Sequence, residues 1–396
     1  MQSLIPLSIP NFEGNEKKYV DEAIEQGWVS TGGKYISEME YHLERYLNVE
    51  RVACVQSGTA ALHLAMIEAG IGPEDIVLVP PLTFIAAVNP IKYQFATPVF
   101  IDCDDSFCLD PKKLKDFCEK ECLFENGQLL YKKRHVKAVV VVHVFGNLAD
   151  MEGIMSVAHR YNLKVVEDAT EALGSKYING TFSGKYAGTV GDYGCYSFNG
   201  NKIITTGGGG AITAKDSTKV EHLRYLSTQA KDDAQFYIHN EVGYNYRMTN
   251  VQAAIGVAQL EELPQFIKRK KDNFNLYCDL FCDYRYAQMV NFREETESNY
   301  WFYSLKINRK YVHASMKEIV YALQKRGIQT RAIWGLISEQ LPYQNEIKYQ
   351  IERATYYSSR ILNIPSSTQI TEEEIKYVVK TIKEVLSSFV DLVEES

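Results

Sequence analysis

Over its first half the chain alternates short apolar runs with amphipathic helical stretches, and that alternation restricts it to very few folds. Val52 to Val55 reads as a strand, and Ala60 to Ala69 reads as a helix that Gly70 ends. Ile76 to Val79 is the next strand, Pro80-Pro81 a break, Thr83 to Ile91 a helix and Pro98 to Ile101 a strand. A helix from Pro111 to Cys122, a strand from Val136 to Val144, a helix from Asp150 to Tyr161 and a strand from Lys164 to Glu167 follow. Strands separated by helices at this spacing form βαβ units, which require a mostly parallel sheet. Val136 to Val144 is apolar on both faces, as a central strand of such a sheet must be. The fold class is therefore α/β. Folds of this kind bind ligands at the carboxyl edge of the sheet.

Three segments bring chemistry to that edge. Ser57-Gly58-Thr59 carries a strand into a helix, so unpaired backbone N–H groups and the helix dipole favour an anion there. A plain Ser/Thr N-cap would explain the same residues. Asp168 stands at the tip of the strand Lys164 to Glu167. Lys202 ends Tyr196-Ser197-Phe198-Asn199-Gly200-Asn201-Lys202, a small polar turn between the apolar runs Tyr193 to Phe198 and Ala211 to Ala214. Most lysines are surface lysines, but the three segments together match a pyridoxal-phosphate pocket. That cofactor needs an amine for a Schiff base, a carboxylate for its ring nitrogen and a cradle for its phosphate. Gly207 to Gly210 are followed by a strand-like run rather than a helix, which excludes a dinucleotide or P-loop fingerprint.

Five motifs, spread over nearly the whole chain, resemble the DegT/StrS-type sugar-nucleotide aminotransferases. They are Gly27-Trp28-Val29-Ser30, Ser57-Gly58-Thr59-Ala60-Ala61-Leu62-His63, Glu167-Asp168-Ala169, Ser197-Phe198-Asn199-Gly200-Asn201-Lys202 and Gly243-Tyr244-Asn245-Tyr246-Arg247. The resemblance implies the type I PLP-dependent aminotransferase fold, with a large PLP-binding domain over residues 1–285 and a small α+β domain over 286–396. It implies cofactor contacts for Lys202, Asp168, Gly58, Thr59, Phe84, Glu171, Ser197 and Asn245, with Lys202 and Asp168 catalytic. Substrate contacts are expected from Trp28, Ser30, Thr31, Asn199, Arg331 and Trp334, although Trp28, Arg331 and Trp334 also suit packing or surface roles. His143, at the carboxyl end of its strand, is a further substrate-side candidate. Asn245 resembles the family's asparagine that reaches the neighbouring subunit's cofactor phosphate, which implies a homodimer with shared sites. Glu171 departs from the Gln or His of many relatives and resembles a subset that aminates 4-keto sugars bearing an N-acetyl group.

The implied reaction moves the amino group of glutamate to the 4-keto position of a nucleotide-diphosphate 4-keto-6-deoxy sugar, by ping-pong kinetics. Asn199 to Thr206 and Ser227-Thr228-Gln229-Ala230 resemble relatives in legionaminic-acid or bacillosamine synthesis. The motifs leave UDP, GDP and dTDP open. A 3-keto sugar substrate, or a non-catalytic PLP-fold sensor of nucleotide sugars, are the alternatives; relatives that dehydrate the sugar carry His in place of the lysine.

The remaining features bound this reading. A net charge of −7 gives no basic stripe for nucleic acid. The first ten residues lack a basic n-region and contain prolines, unlike a signal peptide, and the longest apolar run is strand-length, far short of a membrane span. Eight cysteines without a secretory signal, two pairs of them at helical spacing, suggest free cytosolic thiols and a cytoplasmic protein. Asp102 to Asp105 lacks ligand spacing and reads as a solvated loop, not a metal site. Gly14 to Gln26 and Lys34 to Leu47 read as helices, Leu123 to Arg134 as a surface excursion, and Gln229 to Tyr244 as a long irregular loop. Val251 to about Ile267 is expected as an interface helix, followed by a charged helix with Lys268 to Lys271 on a solvated face. Beyond residue 286, Trp301 to Ile307 and Ile328 to Ile333 are strands, and Ala314 to Arg326, Ile347 to Leu362 and Thr371 to Phe389 helices.

Overall fold

The computed structural model of the protein describes residues 4–390. Its centre is a ten-stranded sheet whose main path runs Ala53–Val55, Gly210–Ala214, Tyr193–Ser197, Lys164–Asp168, Arg134–Val142, Asp75–Val79, Thr97–Ile101 and Ile347–Tyr349. Neighbours on this path are parallel except Gly210–Ala214, which runs antiparallel to both of its partners. The type I aminotransferase fold is what this arrangement realises. Ala138 to Val142 are buried throughout and pair with Lys164 to Asp168, as a strand covered by helices on both faces must be. That pairing ends with Val142 opposite Asp168, so the two strands reach the edge of the sheet together.

A second sheet, of four antiparallel strands, has the order Ala287–Met289, Tyr303–Ile307, Ile361–Ile364, Arg331–Ala332. Its core joins Tyr303, Leu305 and Leu362 to Ile319, Val378 and Ile382 of the helices Met316–Lys325 and Glu372–Ser387. Space does not follow chain order at residue 285. Ile5 is buried in the second core and exchanges backbone hydrogen bonds with Gly327 and Gln329, while Ile347–Tyr349 extends the large sheet beside Thr97–Ile101.

Several local expectations are corrected. Ile347 to Leu362 is a strand, a six-residue helix and a strand, because tertiary pairing with Thr97–Ile101 and Tyr303–Ile307 outweighs local propensity. Leu123 to Arg134 contains a hairpin, Leu123–Glu125 with Gln128–Tyr131, whose second strand adds to the large sheet. Only Arg331–Ala332 of the run Ile328 to Ile333 is strand, and Thr83 to Ile91 is a short 3-10 turn followed by the helix Asn89–Tyr93. The two helices expected around Pro264 are one, Asn250–Phe281, held at its start by a capping box of Thr249 and Gln252. Its first half packs Ala253, Val257 and Leu263 in the large core, and its second half packs Phe274, Tyr277 and Phe281 in the small one. Anchorage at both ends lets the helix continue through a proline that lacks one N–H.

Asp102 is fully buried, not solvated. Its carboxylate accepts the backbone N–H groups of Glu352, Arg353 and Ala354 at 2.8 Å each, and Lys113 Nζ at 3.1 Å. It anchors the start of the helix Arg353–Ser358 and so ties the late segment to the large sheet. Lys270 is 3% exposed, against the solvated face expected for its run; Lys268, Arg269 and Lys271 are exposed. The eight cysteines are unpaired.

Candidate active site

Where the carboxyl edge of the large sheet meets the second sheet, a cleft of about 420 Å³ opens. Its floor is Lys202, whose side chain is 13% exposed. Lys202 lies in a turn closed by its own N–H on Asn199 O at 3.0 Å and by Thr206 N–H on Phe198 O at 2.9 Å. Burial lowers its pKa, while the carboxylates of Glu171 and Asp168 pull it back up. Glu171 Oε1 stands 3.8 Å from Nζ, and Glu171 Oε2 accepts the Phe145 N–H at 2.8 Å. Burial pushes the Glu171 carboxyl up to about 7 in spite of those two partners. Asp168 is 4% exposed, and burial raises its pKa as well. Its Oδ1 accepts the Thr170 N–H at 3.1 Å, and the Thr170 side chain also hydrogen-bonds the carboxylate, which keeps lone-pair capacity for a ring nitrogen.

The opposite wall is the start of the helix Gly58–Glu68. Ser57 caps it by accepting the Ala60 N–H, and the N–H groups of Gly58 and Thr59, which the helix itself cannot satisfy, belong to residues lining the cleft. Gly58 is required by space: a Cβ there would lie 2.8 Å from Ser197 Cβ and 2.9 Å from Thr170 Cγ2. An amine, a buried carboxylate and a helix start form the donor set that pyridoxal phosphate needs, so the residues fit the cofactor.

Gly58, Thr59, Phe84, Ser197, Asn199, Lys202, Arg331 and Trp334 all line the cleft, with Asp168 and Glu171 buried beside Lys202. Arg331 lies in the second sheet and Trp334 two residues past that strand, with the Trp334 ring 4.7 Å from that of Phe145. Four expected residues lie elsewhere on this chain: Trp28, Ser30, Thr31 and Asn245 are exposed and do not line the cleft. Asn250 holds the Trp28 loop on the long helix, donating from Nδ2 to Trp28 O and from its N–H to Ser30 O, both at 2.6 Å.

His143 is a correction. It is fully buried, and no part of it reaches the cleft. Nδ1 accepts the Ala149 N–H at 3.2 Å, so Nε2 carries the proton and donates to Glu167 Oε2 at 2.8 Å. Glu167 also accepts the N–H groups of Gly188, Val190 and Gly191. The pair braces the strand tip that carries Asp168, whose carbonyl accepts the His143 N–H. Sequence reasoning overlooked Phe145, Thr170, Asn201, Trp301, Phe302 and Asn363, which also line the cleft. Phe145 and Thr170 each lie two residues beyond a recognised position, His143 and Asp168, a signal that was available. Asn201 sits in the quoted lysine motif itself, a signal equally available, whereas Trp301, Phe302 and Asn363 depend on how the chain beyond residue 286 packs against the large sheet.

The sequence profile of the DegT/DnrJ/EryC1/StrS aminotransferase family matches residues 10–383. The chain is 35% identical over 387 residues to a GDP-perosamine synthase of Escherichia coli O157:H7, covering 97% of this chain and 99% of that protein. It is 27% identical over 361 residues to the UDP-4-amino-4,6-dideoxy-N-acetyl-beta-L-altrosamine transaminase of Campylobacter jejuni subsp. jejuni serotype O:23/36 (strain 81-176), covering 90% and 91%. Among solved structures, the PLP form of the sugar aminotransferase Spr1654 described from Streptococcus pneumoniae superposes with a TM-score of 0.86 at 25% identity, covering 98% of this chain and 100% of that one.

Proposed function

Because the chain belongs to the DegT/DnrJ/EryC1/StrS aminotransferase family, and so is a PLP-dependent transaminase, we propose that it moves the amino group of L-glutamate onto the 4-keto carbon of a nucleotide-diphosphate 4-keto-6-deoxy sugar. The observation that carries this reading is Lys202 Nζ at the floor of a cleft walled by a helix start and roofed by Arg331 and Trp334. Bound pyridoxal phosphate supplies a carbonyl that takes up the amino group and a ring that absorbs electrons when a carbon gives up its proton. Gly58 and Thr59 would hold its phosphate at the helix start, and Asp168 would keep a proton on its ring nitrogen. Lys202 would hold the cofactor, and its Nζ would carry the proton from one carbon to the next. Burial lowers its pKa while the carboxylates of Glu171 and Asp168 raise it, so the amine can both release and hold a proton, as the two tasks require. Arg331, at the rim of the cleft, suits the donor carboxylate or a substrate phosphate.

Two sugar classes fit. Glu171 beside Lys202 supports an N-acetylated sugar of the legionaminic-acid or bacillosamine type, and the altrosamine transaminase's name supports an N-acetylated UDP sugar in general. Identity of 35% to a GDP-perosamine synthase supports a GDP sugar. The site is proposed to be completed by a second copy. Asn245 is exposed, and the loop before it exposes Phe236, Tyr237 and Val242 at 73%, 73% and 80%, apolar surface that a partner would cover. Residues 1–285, apart from the Ile5 segment and the end of the long helix, are proposed to form the cofactor-binding domain, and 286–396, apart from Ile347–Tyr349, the domain that closes the cleft, in a cytoplasmic enzyme. Among the described residues no helix is long and apolar enough to cross a membrane.

The test is turnover of each keto sugar with glutamate, read as amino sugar and 2-oxoglutarate by mass spectrometry. Absorbance near ~420 nm moving toward ~330 nm when glutamate is added reports the donor half on its own. Product from a 3-keto isomer alone would overturn the 4-keto assignment, and cofactor absorbance with no turnover on any keto sugar would favour a sensor. Mixing Lys202→Ala with Asn245→Ala protein is expected to restore activity that neither has alone, because one hybrid site then holds both native residues.

A further inference from the structure

Trp301 takes part in none of the roles assigned above, yet it touches the reactive lysine from the segment just before the strand Tyr303–Ile307. Its indole ring centre lies 4.3 Å from Lys202 Nζ, inside the ~6 Å at which a cation is held over an aromatic face. Its Nε1–H donates to the carbonyl of Asn201, the residue before the lysine, at 2.6 Å. Lys202 has no strand or helix of its own to fix it, since it sits in a turn, and a four-carbon side chain on a loose turn would sweep a wide volume. The indole therefore constrains both ends of Lys202, the backbone that carries it and the amine itself.

Trp301 is rigid enough for this task. It is 3% exposed, and its ring stacks on Phe302 with centres 3.9 Å apart and planes 10° from parallel. Its N–H donates to Asn299 Oδ1 at 3.0 Å, and its carbonyl accepts Lys270 Nζ at 3.0 Å and Ser366 Oγ at 3.1 Å. Asn299, fully buried, also donates from Nδ2 to the carbonyls of Glu171 and Leu173, both at 3.0 Å. One amide side chain thus sets the spacing between Trp301 and Glu171, the two groups that flank Nζ.

We infer that Trp301 is a positioning residue for Lys202, fixing the turn through its indole N–H and holding the amine against its ring face, which favours the charged form, so that the segment leading into the strand Tyr303–Ile307 helps set where and in which state the amine stands. This rests on the reading that Lys202 is the reactive amine. Around Nζ the charged groups are the carboxylates of Glu171 and Asp168, and the Trp301 face adds to their attraction.

The test separates the two contacts. Trp301→Phe keeps an aromatic face and loses the N–H; Trp301→Leu loses both. In the full-length chain freed of cofactor, the rate at which acetic anhydride modifies Lys202 is followed from about pH 6 to about pH 11 by peptide mass spectrometry. Expected is a downward shift of the Lys202 titration by about one pH unit in Trp301→Leu, and by less than half of that in Trp301→Phe. In the loaded enzyme, kcat is expected to fall about tenfold in Trp301→Phe and about a hundredfold in Trp301→Leu, because both loosen the turn. Lys202 titrating at the same pH in all three proteins would overturn the inference and leave Trp301 a packing residue. Should Trp301→Leu fail to fold, Trp301→Met carries the same comparison. A Lys202→Ala enzyme that still turns over would sink the underlying reading instead, whatever the titration shows.

Discussion

Lys202 and Lys270 are both buried amines, but they sit in different regions of the molecule. Lys202 lies in an irregular turn at the floor of the cleft, with two carboxylates and an indole ring around it. Lys270 lies in the middle of the helix Asn250–Phe281, where the two cores meet, and its Nζ donates to the carbonyls of Trp301 and Ser366. Burial lowers both, and Lys270, with no carboxylate to oppose it, falls to about 7. A lowered pKa alone therefore does not mark a reactive amine. What distinguishes Lys202 is access to a cleft and carboxylates that let it both hold and release a proton.

The strongest way to break that comparison is to remove the amine from the cleft. Lys202→Ala is expected to lose more than about a thousandfold in kcat and the cofactor absorbance near ~420 nm, with its circular dichroism unchanged. Asp168→Asn should follow with a loss of about a hundredfold, since an amide cannot keep a proton on the ring nitrogen; kcat/KM measured with glutamate checks it.

Lys270 should register in stability rather than chemistry. Its folded value of about 7 lies below the ~10.4 of an unfolded lysine, so between those values the unfolded chain binds more protons and stability rises with pH. Lys270→Met is expected to flatten that rise, read from urea midpoints at about pH 7 and about pH 9. The opposite sign belongs to Glu171. Its folded value of about 7 lies above the ~4.3 of an unfolded carboxyl, so its contribution is present at low pH and is lost as pH rises toward 7. Glu171→Gln should remove that acid-side slope in the cofactor-free chain. It should also change kcat/KM only several-fold, mostly through its pH profile, the smallest effect of the four.

The same two lysines show what could be read in advance. Lys202 was legible because turn residues, apolar flanks and family motifs agreed at one place. Lys270 was misread as part of a charged, solvated run, although its phase was available. Leu263, Phe266, Lys270, Phe274, Tyr277 and Phe281 recur at helical spacing and are all buried, so period outweighs charge there. His143 was misread for the opposite reason. A histidine at a strand exit looks like a site residue, but the Glu167 carboxylate that occupies it lies on the neighbouring strand, a partner that only the register of the sheet supplies.

The sequence by itself determined the α/β class, the mostly parallel character of the sheet and the choice of Lys202, Asp168 and Gly58-Thr59 as candidates, because periodicity, turn chemistry and a helix start are local properties of the chain. Tertiary structure alone decided that Asp102 is a buried anchor, that residues 347–349 join the large sheet and that Trp301 covers the lysine. Each of these depends on groups far apart in the chain, and their contact is set by packing rather than by any local pattern.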